Sequence, residues 1–466
     1  MKRTAETFCF PFYRERREVN KWFPIGWSTN IHSLGKPDDP LIRPGEWKYG
    51  NVENLIKHQP WINTLYLLPM DNHPAWGRPL ERPSSQWTTT GMYLRALNYL
   101  LDVKNKYGVD IRAIVKVVSQ IYDYEYRVSG TWDSIPEDQN KILKERIEIL
   151  SNHPQMGGYM LADEPYHGDN SRKAGKRQYV YNELIHFKRL IEDYDKNIDN
   201  HPIHTVIRGN GNYHFDPDNR DQLKNIYLLN ELTDLTDYIH DDLYLFDFIN
   251  IYNHTNKKTF LDFTKERTEM ARKVLLEQRD DVPNIRNKKA WTLWMQGRSG
   301  LGENSPYFGK SYLMEDELRY QAYCSWINGS QGAFFWELAK SDQLSLDIST
   351  KISKEAHYAS QCLMQKTDIV SDVSCIEFED NHDVQYIIRK DPNWFGSGST
   401  IEKRYLLMIC NNSKENSNCF VDFKTPIKKV ESIVPQYNWS HVFRNDNKEI
   451  GVGLGGYRAR AFFVYV

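Results

Sequence analysis

Eight times along this chain a short β-prone run ends in a polar or glycine-containing cluster and gives way to a longer, charged, helix-prone stretch. The runs cover residues 23–30, 62–73, 111–120, 156–165, 202–211, 246–254, 289–297 and 332–340, and their ends recur every 43 to 47 residues. Strands joined through helices run parallel, because a parallel neighbour needs a crossover and the helix supplies it. Eight such units imply a sheet closed into a (β/α)8 TIM barrel, an α/β fold whose period here leaves room for loop insertions. Ser134-Ile-Pro-Glu137 reads as a capping box opening a helix through Leu150, and 174–196, 260–279 and 314–326 are further helix candidates. An open doubly wound sheet would want a glycine-rich phosphate turn after its first strand, and Trp27-Ser-Thr-Asn30 is not one.

After a last helix around 353–365 the pattern changes to short strands without helices, at 384–388, 404–410, 419–423, 428–434 and 459–466. The expected organisation is therefore a barrel over 1–365 and a small all-β sandwich over 366–466, the sandwich contributing stability rather than chemistry. A chain of 466 residues with 40% hydrophobic and 26% charged side chains has ample material for both cores. Its net charge of −2 gives no field that would gather nucleic acid or an anionic membrane, so the expected partner is a neutral carbohydrate. Thirteen Trp and 29 Tyr supply faces on which sugar C–H groups stack, beside their ordinary packing role.

The six cysteines (Cys9, Cys324, Cys362, Cys375, Cys410 and Cys419) show no metal spacing and read as buried thiols. His201, His204, His214, His240 and His254 form no metal motif, and neither metal nor cofactor is expected. The loop Gly297-Arg-Ser-Gly-Leu-Gly302 looks like a phosphate cradle, but Pro306 and more loop separate it from the following helix. Residues 1–17 lack the apolar core of a signal peptide; the expected location is secreted or periplasmic after leader removal, with the cytoplasm as the alternative.

Barrel enzymes carry their chemistry at the C-terminal strand ends. The fourth end reads Gly157-Gly-Tyr-Met-Leu-Ala-Asp163-Glu164-Pro165, two adjacent carboxylates where an apolar strand meets its loop. Partial burial of one of them would raise its pKa to suit a general acid. Strict alternation points only one of the two inward, so both face the site only if the strand breaks or bulges between them. Trp27, Asn72, Asn210, Asn250, Tyr252, Trp294, Gln296 and Trp336, at the other expected ends, offer donors, acceptors and stacking faces for substrate. Glu337 is a further catalytic candidate, and Asp247, early in its run, reads as structural.

The Tyr159-x-x-x-Asp163-Glu164-Pro165 run resembles the acid-catalyst motif of barrel glycoside hydrolases, where an Asn-Glu or Asp-Glu pair ends the fourth strand. Arg319-Tyr-x-x-Tyr-x-x-Trp326-x-x-Gly329 followed by Gly332-Ala-Phe-Phe-Trp336-Glu337 is similar to their last helix and eighth strand. The resemblance implies a glycosidase with Glu164 as general acid. The large retaining clan places a nucleophilic Glu at the end of the seventh strand, where this chain has Gln296. Three readings follow. Glu337 or Asp247 supplies the second carboxylate; or, as in the hexosaminidases that the Asp-Glu pair also resembles, Asp163 orients the substrate's own acetamido group; or the barrel binds carbohydrate without catalysis. A barrel lyase or phosphate-handling enzyme is a more distant alternative.

Overall fold

The computed structural model describes residues 2–3, 22–30, 61–68, 90–116, 137–163, 176–208, 235–242, 260–275, 290–296, 314–336, 343–364, 373–378, 383–392, 394 and 403–466. Eight parallel strands close a barrel in chain order: β1 (Ile25–Asn30), β2 (Thr64–Leu68), β3 (Arg112–Val115), β4 (Met156–Asp163), β5 (Ile203–Arg208), β6 (Tyr238–Asp242), β7 (Ala290–Gln296) and β8 (Ala333–Trp336). Because β1 pairs with β2 on one side and β8 on the other, the sheet has no free edge.

The barrel helices are α1 (Thr90–Tyr107), α2 (Glu137–Leu150), α3 (Lys176–Tyr194), α4 (Phe260–Leu275), α5 (Glu315–Ile327) and α6 (Gln343–Leu363); α2 to α5 fall where the sequence pattern expects helices, α6 begins before the expected residue 353, and α1 is not among the expected stretches. α1 shows why they sit where they do: Tyr93, Ala96, Leu97, Leu100 and Val103 recur at helical spacing and bury one stripe against the barrel. That stripe joins the outward side chains of the strands, among them Trp27, Leu65, Val115, Leu161 and Trp291, in one continuous core. α5 is buried from Leu318 to Ile327, so it has no polar face to advertise its register. It lies between the barrel and the C-terminal sheets, contacting β7 on one side and the strands below on the other.

The C-terminal unit is a sandwich of β9 (Val373–Phe378), β10 (Val384–Lys390), β11 (Arg404–Asn411), β12 (Ser417–Phe423), β13 (Lys429–Ser432), β14 (Val442–Arg444), β15 (Glu449–Leu454) and β16 (Ala459–Tyr465). One sheet runs β10-β11-β16-β13; the other runs β9-β12-β15-β14, with Lys2–Arg3 pairing antiparallel on the outer side of β9. The chain's first residues thus join the sheet of its last domain. Tyr405, Leu407 and Ile409 face the second sheet, while Leu406, Met408 and Cys410 face the helices. β11 is therefore apolar on both faces, which explains its unbroken apolar run. Cys324, Cys362, Cys410 and Cys419 are buried free thiols. No helix among the described residues is long and apolar enough to cross a membrane.

One strand differs from expectation. The sixth strand is Tyr238–Asp242, not 246–254, and residues 243–259 lie outside the described residues. The physical reason is polarity. His240 faces the lumen and Asp241 faces outward, where Arg267 on α4 neutralises it at 2.9 Å, so the true strand reads as hydrophilic. The more apolar stretch downstream outcompetes it in any pattern based on hydrophobicity.

Candidate active site

Strand alternation and pairing register fix which residues line the barrel's interior and at what height. Tilted strands move the level up by about one residue per strand, so alternate strands contribute to each layer. Gly26, Ile114, His204 and Thr292 form one layer; Tyr66, Met160, His240 and Phe334 the next; Ser28, Lys116, Val206 and Trp294 the third. Glycine at 26 is a packing requirement: a Cβ there would lie 1.7 Å from the Thr64 carbonyl oxygen.

The lower layers hold an interior polar cluster. His204 Nδ1 lies 2.8 Å from Tyr66 Oη and 2.8 Å from His240 Nε2, and Tyr66 Oη also bonds His240 Nε2. His240 Nδ1 lies 2.8 Å from Thr292 Oγ1. Tyr238 stacks on the His204 ring at 4.8 Å between centroids. Burial pushes the His240 imidazole down to about 3 and the Tyr66 phenol well above its ordinary value. Both are neutral at physiological pH, so the cluster is a hydrogen-bonded plug rather than a charged site. His204 and His240 are buried core residues.

Above the third layer, at the strand ends, β4 departs from regularity. Its pairing with β5 shifts between Met160 and Ala162, the mark of a β-bulge. Met160 joins the lumen cluster, whereas Leu161 and Ala162 both join the outer core. Two successive outward residues reset the phase, and Asp163 pairs with Val206, itself a lumen residue. The bulge thus places Asp163 at a lumen-facing register position on the last residue of the strand. Val206 in turn pairs with His240, so alternation along β6 gives Asp242 a lumen-facing position as well. Asp163, Asp242, Leu68 and Trp336 share a fourth level, and Asn30, Arg208 and Gln296 stand one step higher.

The expected site residues divide accordingly. Asp163, Gln296 and Trp336 occupy lumen-facing register positions at the same C-terminal end, Gln296 directly paired with Trp336. Trp294 is buried in the third layer, its ring 5.1 Å from Tyr66 and 5.8 Å from His240; it floors the mouth instead of standing free on the rim. Trp27 is a correction: its side chain is fully buried in the helix-facing core, on the opposite side of β1 from the lumen, so it packs instead of binding. Asn250 and Tyr252 lose their place as strand-end residues because β6 ends at Asp242. With Glu164, Asn72, Asn210, Asp247, Glu337 and the loop 297–302, they lie outside the described residues.

Two residues escape sequence reasoning. Asp242 is hidden by the misplaced sixth strand. Lys116 follows β3 on the lumen face, 5% exposed, and only counting alternation from Ile114 would have found it.

No family model and no curated protein sequence matches the chain. Its backbone is similar to that of a GH27 β-L-arabinopyranosidase from Geobacillus stearothermophilus, with a TM-score of 0.50 at 11% identity over 96% of this chain and 98% of that one. A single-substitution variant of that enzyme, in complex with arabinose, gives 0.51 at 12% identity over 96% and 98%. A glycoside hydrolase family 5 structure from Bacteroides vulgatus gives 0.50 at 13% over 95% and 89%. At such identities the likeness is one of fold: a (β/α)8 barrel followed by a β-sandwich, the layout of barrel glycoside hydrolases.

Proposed function

We propose that this chain hydrolyses glycosidic bonds, with Glu164 as general acid and Asp163 as its partner. The observation that supports the reading is a carboxylate pair at the C-terminal end of β4: the bulge at Leu161–Ala162 puts Asp163 at a lumen-facing register position on the last residue of the strand, and Glu164 follows it in sequence. A bulge that re-aims one side chain next to an active centre is a recurring use of this irregularity. The ligand is a carbohydrate, for which the lumen-facing positions of Trp336, Gln296, Asn30 and Arg208 offer a stacking face and hydroxyl partners.

Asp242 supports a second form of the mechanism. It stands two strands from Asp163 at the same level, about 9–10 Å away between Cα atoms from the ordinary strand spacing. A carboxylate there could act as nucleophile or base, the role that Gln296 cannot fill. In the other form Asp163 orients a substrate acetamido group and no second carboxylate is required.

Turnover of paired 4-nitrophenyl glycosides with and without a 2-acetamido group, by wild type, Glu164→Gln, Asp163→Asn and Asp242→Asn, tests both. Glu164→Gln is expected to lose roughly two to four decades of kcat while still binding. Substrate assistance predicts that only acetamido sugars are cleaved and that Asp163→Asn is nearly as damaging. The two-carboxylate form predicts cleavage of plain hexosides and a comparable loss in Asp242→Asn. Unchanged turnover in Glu164→Gln removes it as the acid, and binding without turnover by wild type turns the barrel into a carbohydrate-binding module.

A further inference from the structure

Where the barrel meets the sandwich, two cysteines from distant parts of the chain come together. Cys324 stands on α5 and Cys410 on β11, and both side chains are fully buried. The two thiols are hydrogen-bonded to each other and share an acceptor: Cys324 Sγ lies 4.0 Å and Cys410 Sγ 3.7 Å from Asn412 Oδ1. Cys324 Sγ also reaches Gln385 Oε1 at 3.8 Å. Both of these oxygens have a better donor. Tyr320 Oη donates to Asn412 Oδ1 at 2.9 Å, and Asn328 Nδ2 donates to Gln385 Oε1 at 3.2 Å. Losing both thiol hydrogens would therefore strand no buried acceptor.

Contacts that do not involve sulfur hold the two sides of the junction in place. Asn328 Nδ2 donates to Thr268 Oγ1 at 3.1 Å, Gln385 Nε2 to Glu269 Oε1 at 2.6 Å, and Tyr457 Oη to Asp262 Oδ1 at 2.7 Å. The approach of the sulfurs is thus set by α4, α5 and the sandwich strands together. A disulfide asks for a sulfur–sulfur distance of about 2.05 Å, closer than a thiol–thiol hydrogen bond but along the same line. The other described thiols stand elsewhere. Cys419, only a turn away from Cys410 in sequence, faces the core between the two sheets, and Cys362 lies on α6 in the field of Asp391 and Arg404.

We propose that Cys324 and Cys410 form a disulfide site, closed by exchange with a small disulfide such as oxidised glutathione, which fastens α5 of the barrel to β11 of the sandwich. One cysteine, as thiolate, attacks the small disulfide, forming a mixed disulfide and releasing one small thiol; the other cysteine then attacks the mixed disulfide and releases the second. Two protein thiols and one glutathione disulfide become one protein disulfide and two glutathione thiols. Two electrons pass from the cysteines to glutathione, and the two protons lost by the cysteines are matched by those the released thiols take up. In the closed junction neither sulfur meets solvent, and burial holds the Cys410 thiol well above its ordinary value. The bond therefore forms as the junction assembles, when a mixed disulfide still has room. Neither sulfur belongs to the mouth of the barrel, so the pairing is independent of the hydrolysis proposed above.

Oxidative refolding of the full chain tests it. Reduced, urea-unfolded protein is refolded at about pH 8 in a glutathione buffer rich in the disulfide, alkylated, and digested without reduction. The expected product is a linked pair of peptides carrying Cys324 and Cys410, lighter by two hydrogens than the free peptides. Its unfolding constant in urea should be smaller by about two orders of magnitude than that of protein refolded in dithiothreitol, because the bond closes a long loop. Cys324→Ala and Cys410→Ala should each abolish the link and the stabilisation, and Cys362→Ala should leave both. The peptide map needs only the wild type, so a variant that fails to fold leaves the test intact. Alkylation of both thiols after oxidative refolding, or a link from Cys410 to Cys419, overturns the assignment. A linked chain that unfolds at lower urea than the reduced one overturns it as well, since the native junction would then be resisting the bond.

Discussion

His240 gives the structure its most quantitative consequence. Burial is what depresses its imidazole from the ordinary 6.5 to about 3. The unfolded chain therefore takes up a proton on this residue between those values while the folded one does not. Stability from neutral His240 is fully present above about pH 6.5 and is lost as pH falls toward 3, at roughly 1.4 kcal/mol per pH unit. By pH 5 the wild type forfeits about 2 kcal/mol. His240→Gln cannot titrate, so it escapes this loss, although at pH 7.5 it is itself less stable by about 1–3 kcal/mol for disturbing the bonds to Thr292, Tyr66 and His204. His153, His186 and His357 are also depressed by desolvation, but they are common to both proteins and cancel in the difference. Urea unfolding at pH 7.5 and pH 5.0, followed by tryptophan fluorescence, should show the gap between wild type and variant closing by about 2 kcal/mol on acidification. A gap that is the same at both pH values would mean that the imidazole is not held neutral and that the interior cluster is wetter than its burial implies.

The junction between barrel and sandwich should be as sensitive as its floor. Arg319 binds Glu355 at 2.8 Å, with Glu315 at 2.6 Å and Asp316 at 3.1 Å, and Glu355 is fully buried, so Glu355→Ala should cost about 3–5 kcal/mol by stranding a guanidinium, read as a fall of roughly 3–5 °C in Tm. A fall below one degree would show that Glu315 and Asp316 suffice. Gly26→Ala should abolish soluble expression, because the new methyl meets the Thr64 backbone and β1 cannot pair with β2; a folded variant with native circular dichroism would refute the register.

The barrel was legible because its signal is a period, and a period survives errors in individual strands. Seven of the expected runs contain the observed barrel strands, and β10, β11, β12, β13 and β16 fall on the expected C-terminal runs, whereas β9, β14 and β15 were not among them. What escaped were elements with weak hydrophobic contrast. β6 carries His240 and Asp241, whose burial is made tolerable by Thr292, Tyr66 and Arg267, partners that are distant in sequence. β14 is exposed throughout, and β15 runs through glycines. At the site, Asp163 was visible as a strand-end carboxylate, but its direction was not. Alternation predicts one inward residue of a pair, and the bulge that decides which one is a property of pairing with β5 that no local motif announces. Trp27 fails for the converse reason: a tryptophan near a strand end looks the same in sequence whether it faces sugar or helix.

On the function proposed above, the carboxylate that the seventh strand lacks is relocated rather than lost. Residues from alternate strands share a level in this barrel, so a carboxylate on β4 has its level partners on β2, β6 and β8, while Gln296 on β7 stands one step higher with Arg208 and Asn30. The level that holds Asp163 offers Leu68 from β2, Trp336 from β8 and Asp242 from β6. Of these only Asp242 is ionisable, and it sits across the mouth from the apolar pair. On the proposed reading, these register positions put Asp163 and Asp242 at one level, so the two-carboxylate form needs no group on β7.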